Sequence, residues 1–269
     1  MKIAFCTSVF RPDELISTIY RLAQLGYDGV ELRQQQFDYH RWAILKAAVA
    51  DAGMAVAQVS PYFDLVNGPE KIEASVKQAE QFVKMAAESP GGPALVRVFT
   101  GPLDGPGAVS SAKCSQANWA AAVAGMRRIC RLGEPHGVRF ALETHHNMLI
   151  DTSASITQFL RDVGMANLGV NLQVPLDDDA DPVVSARKLG QHVIHLHANN
   201  ERDGHNTFLA DGIYDFPAFL RAVVESGPFD GFVSVEHAYH HPLWQTAVVE
   251  IDYLKKVIAT IPPRAGKTD

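Results

Sequence analysis

Residues 138–147, VRFALETHHN, put a carboxylate, two imidazoles and an amide (Glu143, His145, His146 and Asn147) directly after an apolar run. If the run is a strand, its side chains alternate between faces, so Glu143 and His145 project one way and Thr144 and His146 the other. A carboxylate and an imidazole on one face can ligate a cation or move a proton. A lone Glu at a strand end more often pairs with a basic neighbour, because Glu is rarely buried alone. What raises Glu143 above that reading is recurrence. LGVNLQ ends in Asn171 and Gln173, VIHLH in His195 and His197, GFVSVE in Glu236, and YDGVELR carries Glu31 near its end. Spacing of two residues keeps each pair on one face, with the outer member reaching furthest.

Such ends converge only if the strands are parallel neighbours. The chain alternates apolar runs with amphipathic stretches throughout. The spacing predicts strands over 2–8, 27–33, 55–60, 95–100, 138–142, 168–173, 193–197 and 231–236. It predicts helices over 12–25, 39–52, 69–88, 118–132, 151–163, 183–189, 216–224 and 244–258, and leaves 101–107 and 199–211 as loops. Eight such units imply a single (β/α)8 TIM barrel over 1–261 with a C-terminal tail at 262–269. An open doubly wound sheet is disfavoured because no GxGxxG follows the first strand. The acidic run 177–181, DDDAD, reads as a solvated surface.

Composition narrows the function. A formal charge of −6, with no Lys/Arg run, excludes an electrostatic footprint for nucleic acid. The three cysteines, Cys6, Cys114 and Cys130, are odd in number and far apart, which disfavours disulfides and thiolate zinc sites and suits a reducing cytoplasm. No apolar stretch approaches the ~20 residues of a membrane span. Apolar positions on the last helix are compatible with a homo-oligomer.

At the C-terminal mouth of a barrel, Glu143, Gln173, His197 and Glu236 should meet as a site for a divalent metal, manganese first, with cobalt, magnesium or zinc as alternatives. His195 lies deeper in its strand and reads chiefly as a support for that site, with a substrate contact as its other reading. Gln58 reads as packing. The histidines of EHAYHH, His237, His240 and His241, read as a rim cluster.

The stretches YDGVELR, LETHHN, LGVNLQ, VIHLHANN and SVEH, in this order, resemble the sugar phosphate isomerase/epimerase superfamily, the xylose isomerase-like barrels related to endonuclease IV. The resemblance spans essentially the whole chain and implies metal ligands at Glu143, His197 and Glu236. It departs at Gln173, where the family carries Asp, so that only two carboxylates balance the ion. The second Glu and the His that ketohexose 3-epimerases use to grip substrate are replaced by Leu149 and Leu176. Ser60, in VSPYF, stands where endonuclease IV has a His.

The leading expectation is therefore an isomerase or epimerase of a small, unphosphorylated sugar or polyhydroxy carbonyl compound. Protons would move through a metal-stabilised enediolate, with Glu143 and Glu236 as acid and base. Glu31, His145, Asn171, His195 and Arg202 are the expected substrate contacts, Arg202 standing one place short of the superfamily's usual arginine. The alternative is a lyase in the same site, an inosose or dehydroshikimate dehydratase or an enzyme cleaving a 3-oxo-sugar derivative. A sugar-binding protein without turnover is the third reading.

Overall fold

The computed structural model describes residues 1–236 and 241–262. Residues 237–240, with His237 and His240, and 263–269, nearly all of the expected tail, lie outside the described residues.

Eight parallel strands close into a ring. In chain order they are β1 (Lys2–Cys6), β2 (Gly29–Arg33), β3 (Ala55–Ser60), β4 (Leu95–Val98), β5 (Arg139–Glu143), β6 (Leu168–Leu172), β7 (Val193–Ala198) and, after a hairpin of β8 (Asn200–Arg202) and β9 (His205–Thr207), β10 (Phe232–Val235). The ring closes where β1 pairs with β10, Ile3 opposite Val233. The helices are α1 (Leu15–Leu25), α2 (Gln34–Tyr39), α3 (Trp42–Asp51), α4 (Pro69–Ala87), α5 (Gln116–Gly133), α6 (Ser153–Val163), α7 (Pro182–Leu189), α8 (Phe216–Ser226) and α9 (Leu243–Ala259). The chain thus forms the single TIM barrel that its periodicity predicts.

Local chemistry explains the joints. The α1 stripe Leu15, Ile19 and Leu22 is fully buried, and the helix stops at Gly26, whose φ of +89° suits a residue without Cβ. Asp28 then accepts the Ile3 backbone N–H at 2.8 Å, tying the start of β2 to β1. Inside the ring, Ala4, Ala55, Ala57 and Phe232 form a small apolar plug of their own. A Cβ on Gly29 would stand 2.8 Å from the Phe232 ring, so glycine there makes room for the plug.

Two expectations change. The predicted helix 39–52 is realised as α3 alone, and α2, which was not predicted, stands before it; the two are separated at His40, which is extended and whose Nε2 contacts the Pro12 carbonyl at 2.7 Å. The loop 199–211 contains the β8–β9 hairpin, turned by Asp203 and Gly204, both at positive φ. Asp-Gly is a strong hairpin signal, so this element was readable. The acidic run is exposed at Asp177, Asp178, Ala180 and Asp181, the solvated surface its composition predicts, and its carboxylates also tie down neighbouring elements. Asp178 and Asp181 accept backbone N–H groups at the starts of α6 and α7, Asp179 binds Ser153 and Lys188, each at 2.6 Å, and Asp177 pairs with His146.

Candidate metal centre at the barrel mouth

A cavity of about 300 Å³ opens at the C-terminal ends of the strands, bordered by Arg33, Glu143, His145, Gln173, Asn206 and Glu236, with Phe99 and Leu103 as apolar wall. His197 lies fully buried just below. Ligand atoms of Glu143, His197 and Glu236, drawn from strands nearly a hundred residues apart, all lie within 4.8 Å of one another. His197 Nδ1 is 2.9 Å from Gln173 Oε1, 3.5 Å from Glu236 Oε1 and 3.7 Å from Glu143 Oε1.

The opposite edge of the same ring fixes its orientation. His197 Nε2 is 3.3 Å from Glu31 and 3.1 Å from Asn171 Nδ2. Asn171 Oδ1 makes no hydrogen bond, and amide oxygen and nitrogen are interchangeable by a half-turn. With the amide turned, Nε2–H donates to both Glu31 and Asn171, and Nδ1 presents a lone pair to three oxygens. Four converging lone pairs in a buried place repel unless a positive charge sits among them. A proton can supply it: burial opposes protonation, but Glu31, Glu143 and Glu236 outweigh it and raise His197 to about 10. A divalent cation fits as well, since one imidazole nitrogen and three oxygens are donors for a hard to borderline metal.

The carboxylates differ. Burial pushes Glu143 up, but Arg97, His197 and Arg33 together hold it below its ordinary value. Arg97 Nη1 lies 3.0 Å from Glu143 Oε2, so the pairing with a basic neighbour is present at one oxygen while the other faces His197. Glu236 is raised by burial, reinforced by Glu143 and only partly offset by His197 and Arg33. Glu31 stays well below its ordinary value because His197 and His195 outweigh its burial.

Several expected contacts lie away from the cavity. Glu31, Asn171 and His195 are at most 1% exposed and do not border it, and for His195 this is the supporting place that its depth in the strand predicts. Glu31 Oε1 instead binds His195 Nε2 at 2.7 Å, so these residues support His197 from beneath. Arg202 is exposed on β8 beside the hairpin turn and does not border the cavity; Glu201 and Asn206 of the same hairpin do. Strand alternation ends at Glu143, so Thr144, His145 and His146 all reach the wall. His145 Nδ1 donates to the His146 carbonyl at 3.0 Å, which leaves its Nε2 with the lone pair. Of the expected rim cluster, His237 and His240 lie outside the described residues, and His241 stacks on Phe208 at 3.8 Å.

Two residues of the site were not anticipated, Arg97 and Arg33. Arg97 is 1% exposed, its second nitrogen donates to the Pro61 carbonyl at 2.9 Å, and it lies over Phe99. An arginine inside LVRV gives a faint signal, since apolar strands seldom carry a charge unless it has a partner.

The sequence profile of the xylose isomerase-like TIM barrel family matches residues 19–257, and the chain belongs to that family. A 3-dehydroshikimate dehydratase from Bacillus anthracis is 29% identical over 211 residues, 74% of this chain and 72% of the relative. A D-allulose 3-epimerase from Methylomonas sp. superimposes with a TM-score of 0.79 at 17% identity, covering 96% of this chain and 98% of that one. A xylose isomerase-like TIM barrel protein from Mycobacterium smegmatis in complex with magnesium gives 0.76 at 17% identity, covering 97% of each chain. At these identities the structural likeness is one of fold. No described helix is long and apolar enough to cross a membrane.

Proposed function

We propose that the protein is a metal-dependent enzyme that removes a proton next to the carbonyl of a small polyhydroxy compound and then eliminates water from the adjoining carbon. The observation that carries this reading is the convergence of Glu143, Gln173 and Glu236 on His197 Nδ1 at the edge of a cavity. When bound, a divalent cation, manganese first and cobalt, magnesium or zinc as alternatives, supplies Lewis-acid polarisation of the carbonyl oxygen.

The protein's own groups divide the work. Arg97 occupies one oxygen of Glu143 and the other faces His197, so Glu143 serves chiefly as a fixed negative charge and ligand. That leaves His145, which borders the cavity and has its Nδ1 engaged by the His146 carbonyl, to accept the proton at Nε2. His145 then passes that proton to the departing hydroxyl while Glu236, like Glu143, would hold the cation, so the substrate loses the elements of water and gains a double bond. Gln173 and Asn206 present amides to substrate hydroxyls.

Elimination is favoured over the isomerase reading by the dehydratase among the relatives and by Leu149 and Leu176, which are buried at 0% and 4% exposure and offer no polar grip. Epimerisation is the second reading, supported by a proton-transferring group, His145, that borders the same cavity as the cation's carboxylates. Incubating the manganese-loaded protein in D2O with a panel of cyclic and open-chain polyhydroxy ketones tests both. A product lighter by one water supports elimination, whereas deuterium gained with the mass otherwise unchanged supports epimerisation. Absence of both across the panel, with metal bound, would refute the assignment.

A further inference from the structure

We infer that Arg33 anchors a carboxylate of the substrate, which makes that substrate a small polyhydroxy oxo acid; the inference rests on the metal-centre reading above. Arg33 closes β2 and borders the cavity with its side chain 17% exposed. A guanidinium has five donors in a rigid fork. Here they are nearly unspent. Nη1 reaches the Tyr62 hydroxyl at 3.4 Å, Nη2 reaches Cys6 Sγ at 3.3 Å, and Nε is buried with no partner. The nearest carboxylate oxygen, Glu236 Oε1, is 3.9 Å away, beyond hydrogen-bond reach. Arg97, 1% exposed, also leaves its Nε without a partner, but both of its terminal nitrogens are spent, at 3.0 and 2.9 Å.

A largely buried charge whose nearest carboxylate comes no closer than 3.9 Å is poorly satisfied, so its open donors are informative. Once a divalent cation takes up the negative charge of Glu143 and Glu236, no carboxylate of the floor is left for Arg33, because Glu31 is committed to His195 and His197. A monoanion seated between the guanidinium and the cation would satisfy the open donors. The planar fork matches a carboxylate through two parallel hydrogen bonds. A cavity of about 300 Å³ lies at the small end for ligand pockets, which suits one compact acid.

The test uses three chelating probes that differ only in one substituent: 3,4-dihydroxybenzoate, the isosteric neutral 3,4-dihydroxybenzamide, and 3,4-dihydroxyphenylphosphonate. Calorimetric titration of each into the full-length protein, with and without manganese, is repeated on Arg33→Gln and Arg33→Lys, whose folding is checked by thermal melting. The expected result is manganese-dependent binding with the benzoate favoured over the benzamide by roughly tenfold or more. Arg33→Gln should abolish that preference while the benzamide affinity stays unchanged, and Arg33→Lys, which keeps the charge and loses the fork, should retain only part of it. Manganese-dependent binding without discrimination, or discrimination that survives in Arg33→Gln, overturns the role of Arg33 and leaves the metal centre standing. Preference for the phosphonate replaces the carboxylate by a phosphoryl group and overturns the substrate class. Binding of the probes that ignores manganese, or no binding at all, overturns the metal-centre reading and this inference with it.

Discussion

Gln173→Glu is the substitution whose outcome the geometry of the site constrains most tightly. It keeps the side-chain length and adds one negative charge at an atom 2.9 Å from His197 Nδ1. Glu236 and Glu143 already stand 3.5 and 3.7 Å from the same nitrogen, so three carboxylates would surround one point. Two like charges about 4 Å apart repel by about 4 kcal/mol at an effective dielectric of about 20. In the metal-free protein the repulsion from both Glu143 and Glu236 outweighs the attraction of the single proton on His197, so the new group takes up a proton or lowers stability. A divalent cation at similar range attracts the new charge by about 8 kcal/mol before costs. Proton release and dehydration of the carboxylate consume most of that gain. The net expectation is a Kd for manganese tightened by about ten- to a hundredfold, or about 1.4 to 2.8 kcal/mol. Calorimetric titration of metal-stripped wild-type and variant protein measures it directly. Paired melting curves should show the variant with the lower Tm without manganese and the larger upward shift with it. An unchanged or weaker affinity in a folded variant would mean that Gln173 does not face the ion.

Other outcomes follow from the same contacts. Glu143→Gln and Glu236→Gln should each lower kcat by about a hundredfold or more while circular dichroism stays native; near-full activity in both would sink the assignment. Arg97→Met strips the buried partner from Glu143, 3.0 Å away, and should cost about 3–5 kcal/mol in denaturant melts. Metal binding at pH 8 should release close to one proton, because His197, raised to about 10, must give up its proton to bind; titrations in buffers of different ionisation enthalpy count it, and zero release speaks against Nδ1 as ligand. Glu250 on α9, raised to about 7 mainly by burial, accepts the Leu209 N–H at 2.8 Å. Its folded-state value lies above the ordinary 4.5, so its stabilising contribution is complete below about pH 4.5 and disappears as pH rises through 7. Glu250→Gln should accordingly gain on the wild type between pH 5 and 8, by at most about 3 kcal/mol, and a difference that is flat with pH would contradict this.

Much of this was legible in the sequence because the barrel repeats one simple signal. Each strand is a short apolar run, and each helix carries a stripe such as Leu15, Ile19 and Leu22. Glu143, Gln173, His197 and Glu236 were legible as a group because each is the outermost polar residue of its run. Depth was harder to read. The register shifts between Val30 and Glu31 and between Val170 and Asn171. Such irregularities alter how far a side chain rises, and a one-dimensional pattern does not display them. Glu31 and Asn171 consequently look like mouth residues in sequence and lie beneath it in the fold, beside His195, whose depth was legible. Arg97 was missed for a related reason: its partner, Glu143, is 46 positions away and on the next strand. The acidic run was legible as exposed surface but its capping of α6 and α7 was not, because helix caps and surface charge share one composition and only the neighbouring N–H groups tell them apart.

The central claim is that one divalent cation is held jointly by Glu143, Gln173, His197 and Glu236. Anomalous diffraction from a crystal grown with manganese tests it most directly. The account predicts a single strong peak with His197 Nδ1 and the carboxylate and amide oxygens each about 2.2 Å away. A peak elsewhere, or an empty centre with His197 still bridging the carboxylates at saturating manganese, would contradict it.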